Sequence, residues 1–214
     1  MNYSIKVIIF DFDGTIADTT ASIATIFNQV APKYNLPFFK ESDLNYLRDN
    51  SMSELIQRYD IGPIKLLKLI AEVQSELKKN IENTPPIPGM IEVLNELKRK
   101  DIAVGIVSSN TTENIKLFLA KNNITNVNFV YSEKTLFGKG KILTNLIRKQ
   151  RLSKSEVIYV GDEVRDVEAA QEARVFSAAV TWGFNSEKRL KRARPDFIVN
   201  QPRDLVKKIS LFRS

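Results

Sequence analysis

Acidic side chains follow two apolar segments of the chain. The first segment, "VIIF", runs directly into Asp11 and Asp13, and a later one, "VIYV", runs into "GDEVRD", which holds Asp162 and Asp166. If these segments are neighbouring strands, carboxylates from both crowd one small volume, where their repulsion is costly unless a cation offsets it. Mg²⁺ is the natural candidate because it takes oxygen ligands and bridges to substrate phosphate.

The composition narrows the chemistry further. The 214 residues include neither histidine nor cysteine. Imidazole bases, thiolate nucleophiles and disulfides are therefore excluded, and catalysis must use carboxylates, lysine, hydroxyls and the backbone. We expect hard-cation, oxygen-ligand chemistry, with Mg²⁺ as the cofactor.

The overall balance of residues is typical of a globular protein, with 43% hydrophobic and 27% charged residues. No apolar stretch approaches the roughly 20 residues of a membrane span. Acidic residues interrupt the amino-terminal apolar run, and no small-residue cleavage site follows it. We therefore expect a cytoplasmic protein that does not associate with membranes.

The net charge of +7 is concentrated towards the carboxyl end, and its densest stretch is Lys188–Arg194. A run of this kind is usually a solvated face. No aromatic interleaving or nucleic-acid motif accompanies it, so the sequence argues against a nucleic-acid partner. A general attraction for anionic small molecules is the alternative. The sequence carries no sign of the oligomeric state.

Short segments rich in Val and Ile alternate with amphipathic segments, which predicts a Rossmann-like α/β core with a parallel sheet. The predicted strands are Ile5–Phe10, Ile102–Val107, Val127–Tyr131, Val157–Val160 and Phe176–Val180. The predicted helices of this core are Met90–Lys100, Thr112–Asn122, Lys141–Gln150 and Asp166–Ala173.

A purely helical stretch interrupts the alternation after the first strand, and the proline-rich "NTPPIPGM" follows it as a stiff hinge. Its predicted helices are Ser22–Val30, Asp43–Leu47, Met52–Tyr59 and Pro63–Lys79. We predict a helical cap at residues 18–87, inserted into a core formed by residues 1–17 and 88–214.

Each polar motif follows a predicted strand, and ligands of open parallel sheets bind outside the carboxyl ends of the strands. "DFDGTIADT", "VSSN", a Lys in "FGKGK" and "GDEVRD" occur in the order and spacing of the four motifs of haloacid-dehalogenase-type hydrolases. The helical insertion resembles the small cap of the branch that contains phosphoglycolate phosphatase. The resemblance extends over essentially the whole chain.

This resemblance implies a phosphatase that hydrolyses a small, phosphoglycolate-like phosphomonoester through an aspartyl phosphate. Asp11 would be the nucleophile and Asp13 the general acid and base. Ser108, helped by Ser109, would bind the phosphoryl group, and Lys139 would neutralise its charge.

The metal ligands implied by the resemblance are Asp11, Asp13 and Asp162, with Asp166 holding a metal-bound water or orienting the motif lysine. Glu163 could join them or lie on the surface. The chain departs from the family pattern, which has a Lys-Pro pair, because it reads Lys139-Gly140-Lys141. We favour Lys139 because Lys141 could equally be an exposed residue of the following helix.

Specificity in such enzymes usually resides in the cap, where Arg48 and Arg58 are candidates for a substrate carboxylate or a second phosphate. Three other functions compete with a phosphatase. They are a phosphomutase, a phosphate-accepting signalling domain, and a basic binding protein with a vestigial site.

Overall fold

The computed structural model describes residues 4–36, 38, 40–50, 54, 57, 58, 60–132 and 138–210. Within them, no helix is both long enough and apolar enough to cross a membrane. The predicted helix Met52–Tyr59 lies mostly outside the described residues, as does part of the "FGKGK" motif before Gly138.

A parallel sheet forms the centre of the molecule, in the strand order β3-β2-β1-β4-β5-β6. The strands are β1 (Val7–Phe10), β2 (Ala103–Ser108), β3 (Phe129–Ser132), β4 (Val157–Gly161), β5 (Phe176–Val180) and β6 (Phe197–Val199). The chain winds from β1 to β3 on one side and from β4 to β6 on the other. The winding therefore reverses between β1 and β4, and a crevice opens at such a position in α/β proteins.

Helices cover both faces of the sheet. The helices are α1 (Thr20–Val30), α2 (Glu41–Asp49), α3 (Pro63–Lys79), α4 (Met90–Arg99), α5 (Thr112–Lys121), α6 (Lys139–Lys149), α7 (Val164–Ala173), α8 (Glu187–Arg192) and α9 (Pro202–Ser210). Along β1, Ile8 and Phe10 pack into one apolar cluster, and Val7 and Ile9 pack into the other. Burial on both faces explains why this strand is continuously apolar.

The Rossmann-like α/β architecture expected from the sequence is confirmed. The predicted strands and core helices begin and end within two residues of their predicted limits. The difference that matters most for the site is the start of α6. This helix begins at Lys139, two residues before the predicted start at Lys141. The short strand β6 and the helices α8 and α9 were not predicted.

The stretch between β1 and α4 is helical, as predicted, and has an apolar cluster of its own. Phe27 and Val30 of α1 pack there with Leu66 and Leu69 of α3. These helices therefore bury their apolar faces against one another. The exact cap boundaries at residues 18 and 87 remain a prediction.

The loop after β1 is anchored by an aromatic pair. Phe12 lies between Asp11 and Asp13 in sequence, and its fully buried ring meets the ring of Phe118 edge to face, with centroids 5.0 Å apart. Edge-to-face pairs of buried rings add to the stability gained from burial. Because the Phe12 ring is buried in this way, the backbone on either side of it, which carries Asp11 and Asp13, is held in place.

We expect Phe118→Ala to lower the free energy of unfolding by about 3–5 kcal/mol, because it removes a buried aromatic side chain and its partner for Phe12. Urea denaturation monitored by circular dichroism measures the change. Leu117→Ala is the matched control, since Leu117 is 42% exposed on the same helix and should change stability by about 0.5 kcal/mol or less. Equal losses in the two variants would contradict the anchoring role of Phe118.

Candidate active site

The site lies at the carboxyl ends of the adjacent strands β1 and β4. Their pairing continues one residue beyond β1, where the backbone N–H of Asp11 donates to the carbonyl of Val160 at 2.8 Å. Asp11 and Asp162 therefore stand side by side at the point where the winding of the sheet reverses. Both are almost completely buried.

Lys139 lies between two carboxylates. Its Nζ is 2.7 Å from Oδ2 of Asp11 and 2.6 Å from Oδ1 of Asp166. Lys139 is only 2% exposed. It is the first residue of α6, so its side chain reaches the site from the start of that helix. Lys141 is exposed on the same helix.

The buried charges shift one another's pKa values. Burial works to lower the pKa of Lys139, but the negative charges of Asp11 and Asp166 outweigh it and hold that pKa above its usual range. Burial, reinforced by the neighbouring carboxylates, raises the pKa of Asp162 well above its ordinary value. Burial also raises the pKa of Asp166, against the opposing attraction of Lys139. Burial and the neighbouring carboxylates therefore disfavour the charged forms of Asp162 and Asp166.

The residues that could hold a metal form one compact group. Carboxylate oxygens of Asp11, Asp162 and Asp166 lie within 4.8 Å of one another. Hard oxygen donors of this kind suit Mg²⁺, whose charge would offset the repulsion between the carboxylates. The donor set therefore fits the expected cation. The carboxylate of Asp13, the remaining predicted ligand, is not part of this group.

Asp162 is held from two sides. The Thr15 hydroxyl donates to its Oδ1 at 2.7 Å, and the backbone N–H of Phe184 donates to its Oδ2 at 2.6 Å. Gly14 has a φ of +73°, and a Cβ at Gly14 or Gly183 would collide with the Asp162 side chain. Glycine is thus required where these two loops close around the carboxylate.

Asp13 turns towards the end of β2. Asn110 Nδ2 donates to both of its carboxylate oxygens, at 3.2 and 3.1 Å. The predicted phosphate ligand Ser108 is fully buried at the same strand end, and its Oγ accepts the backbone N–H of Asn110 at 3.1 Å. Ser109 is half-buried beside them. The two aspartates at the chain start therefore face different partners.

The structure also locates Glu163 and Trp182. Glu163 is half-buried and pairs with the guanidinium of Arg165, at the start of α7. The backbone N–H of Glu163 donates to Oδ2 of Asp166 at 3.0 Å. Trp182 packs against the core, and its Nε1 donates to the carbonyl of Thr15 at 3.2 Å.

The two cap arginines differ in position. Arg58 lies over the ring of Tyr46 at 4.0 Å and is 3.7 Å from Asp43. Arg48 instead reaches the core, where its Nη2 donates to the carbonyl of Thr181 at 3.3 Å. Its Nε is buried without a hydrogen-bond partner among the described residues. Arg48 is therefore the cap arginine that reaches the strand-end edge of the sheet.

Sequence reasoning indicated that the loop at residues 181–185 borders the site, but it missed the hydrogen bonds of this loop to Asp162 and the contact between Asn110 and Asp13. The loop wraps Asp162, since Asn185 N–H also donates to the Asp162 carbonyl at 3.2 Å. A polar residue directly after a strand end was the signal available for Asn110. Glycine within "TWGFN" was the signal for the loop.

Comparisons with known proteins identify the family of this chain. The family model described as haloacid dehalogenase-like hydrolase matches residues 8–180. A phosphoglycolate phosphatase of Synechococcus elongatus is 33% identical over 206 residues, covering 96% of this chain and 97% of that protein. A pyrophosphatase, PpaX of Oceanobacillus iheyensis, is 26% identical over 209 residues, covering 95% and 96%.

Solved structures show the same fold. A haloacid dehalogenase-like hydrolase from Streptococcus pneumoniae superposes with a TM-score of 0.78 at 20% identity, covering 95% of this chain and 98% of that one. A predicted phosphatase from Clostridium acetobutylicum reaches 0.78 at 22% identity, covering 99% and 100%. The chain belongs to the haloacid dehalogenase-like hydrolases and is a phosphatase of their phosphoglycolate-phosphatase-like branch.

Proposed function

We propose that this chain is a Mg²⁺-dependent phosphatase that hydrolyses a small phosphomonoester through an aspartyl phosphate on Asp11. The observation that carries the proposal is the position of the Lys139 Nζ, 2.7 Å from Asp11 and buried with it. A fixed cation beside an ionised carboxylate suits attack on a phosphoryl group, whose oxygens it also attracts. The cytoplasmic location stays a prediction.

In the first half of the reaction, a carboxylate oxygen of Asp11 attacks phosphorus and the ester P–O bond breaks. The nucleophile needs no deprotonation because it is already an anion. Asp13 delivers a proton to the leaving oxygen, which departs as an alcohol. Ser108 and Ser109, at the end of β2, would donate to the phosphoryl oxygens.

In the second half, water attacks the phosphorus of the aspartyl phosphate. Asp13 takes the proton of that water, the bond between phosphorus and the Asp11 oxygen breaks, and phosphate leaves. Bound Mg²⁺, held by Asp11 and Asp162 with Asp166 close by, would neutralise charge on the transferring group. A phosphomutase would instead protect the phosphoenzyme from water, and free phosphate would not accumulate.

We extend the proposal to the substrate class through Arg48. The relatives are named for phosphoglycolate and pyrophosphate, and each of these molecules carries a second anionic group next to its phosphoryl group. Arg48 reaches Thr181, directly after β5, and its buried Nε meets no acceptor in the part of the chain that the structure describes. A guanidinium pairs well with carboxylate or phosphate oxygens. We therefore propose that Arg48 binds this second anion.

Metal removal should abolish turnover. We expect chelation to lower phosphate release at least about 100-fold, since the metal stabilises charge in the transition state. Mg²⁺ should restore activity, Mn²⁺ should substitute, and Ca²⁺ should do so poorly because of its looser coordination. A phosphate-release assay on dialysed enzyme measures this, and full turnover in metal-free buffer would contradict the proposed cofactor.

Asp11→Asn should lower kcat by at least about 10³-fold, because an amide cannot form the acyl phosphate. Acid-quenched wild-type enzyme should carry phosphate on the peptide that contains Asp11, and the variant should carry none. Asp18→Asn is the matched control, since the Asp18 carboxylate accepts from the Thr20 hydroxyl at the start of α1. Label on another residue of the wild type would rule out this mechanism.

Arg48→Gln should raise the KM for phosphoglycolate roughly 10- to 100-fold, as expected for a lost charged hydrogen bond. Ethyl phosphate, which lacks the second anion, should be hydrolysed with a KM changed less than about threefold in the same variant. Arg58→Gln should leave the KM for both substrates unchanged. Equal losses on both substrates in Arg48→Gln would show that Arg48 serves structure and not selection.

A further inference from the structure

Asn110 uses both ends of its side-chain amide and its backbone carbonyl in hydrogen bonds. It follows β2, is 1% exposed, and its Nδ2 lies 3.2 and 3.1 Å from the two carboxylate oxygens of Asp13. The two residues are 97 positions apart in the chain. This contact therefore joins the ends of two neighbouring strands, at the site itself.

The orientation of the Asn110 amide is fixed by its surroundings. Its Oδ1 accepts the backbone N–H of Thr111 at 2.8 Å and the Asn114 side-chain amide at 3.2 Å. A flipped amide would set its NH₂ against these two donors, so the NH₂ group must face Asp13. The residue's carbonyl accepts the Ser132 hydroxyl at 2.7 Å, which fixes the backbone as well.

Asp13 needs such a partner because of what lies beside it. Asp11, two residues away, belongs to the group of three carboxylates that suits a cation, and a fourth carboxylate would be attracted to the same cation. A carboxylate engaged there would be poorly placed to exchange a proton with the leaving oxygen or with water. The Asn110 amide, at the end of β2, instead offers Asp13 hydrogen-bond donors on the side of β1 away from β4.

We infer that Asn110 is the positioning residue for Asp13, holding its carboxylate apart from the metal-binding carboxylates and ready for proton transfer. The inference rests on the proposed function. Asn110 acts through Asp13, so its loss should slow the steps that use Asp13. Attack of Asp11 on a substrate with a good leaving group needs no proton from Asp13 and should be affected less.

Two variants separate this role from simple structural support. Asn110→Ala removes the amide. Asn110→Asp keeps an oxygen to accept from Thr111 and Asn114 but loses the donation to Asp13. With an aryl phosphate, we expect both to lower kcat roughly tenfold or more, because hydrolysis of the phosphoenzyme becomes rate-limiting. Acid quenching during steady turnover should then trap a larger fraction of phosphorylated Asp11 than in the wild type.

A double-mutant cycle with Asp13→Asn provides the second readout. If Asn110 acts through Asp13, then adding Asn110→Ala to Asp13→Asn should change kcat less than about twofold. Asn122→Ala is the matched control, since Asn122 Nδ2 donates to the Phe118 carbonyl at the far end of α5. It should keep wild-type kcat and wild-type phosphoenzyme levels.

The inference is overturned if Asn110→Ala lowers kcat equally with and without Asp13, or if neither Asn110 variant raises the trapped phosphoenzyme. A wild-type enzyme that releases no phosphate from any phosphomonoester with Mg²⁺ would instead overturn the proposed function. The two failures are therefore distinguishable, because the first requires an active wild type.

Discussion

The ion pairs of Lys139 with Asp11 and Asp166 are the interaction on which the rest of the site depends. Burying one ammonium among carboxylates costs several kcal/mol per ion unless geometry and hydrogen bonds offset it. Three elements bring these charges together, since Asp11 follows β1, Lys139 begins α6 and Asp166 lies in the first turn of α7. Gly140 lets α6 approach α7, because a Cβ there would collide with Glu172. The departure from the family's Lys-Pro pair thus coincides with a close helix contact.

Much of this arrangement could be predicted because it follows from strand order. Continuous apolar segments predict strands buried on both faces, and parallel strands bring their carboxyl ends to one edge. That reasoning was enough to place Asp11 and Asp162 together. It could not separate Lys139 from Lys141, since either could follow the loop. The structure sets them apart by burial, because α6 begins at Lys139 and Lys141 lies exposed.

Other features carry no local signal. β6 has three residues, and among the described strands it pairs only with β5, so its stability comes from tertiary contact and not from periodicity. The contacts of Arg48 with Thr181 and of Asn110 with Asp13 join residues 133 and 97 positions apart. The sequence without the structure shows only that such side chains can donate or accept hydrogen bonds. It does not show which partner they meet.

The different surroundings of Asp11 and Asp13 suit the two roles proposed for these aspartates. Phe12 between them is buried against Phe118, so the backbone on either side is fixed. Asp11 then meets the ammonium of Lys139, while Asp13 meets the neutral amide of Asn110. The ammonium beside Asp11 also attracts phosphoryl oxygens, which suits the nucleophile proposed there. A neutral donor can accompany a carboxylate that gains and loses a proton, as proposed for Asp13. The proposed difference between the two aspartates therefore rests on their partners, since the side chains themselves are identical.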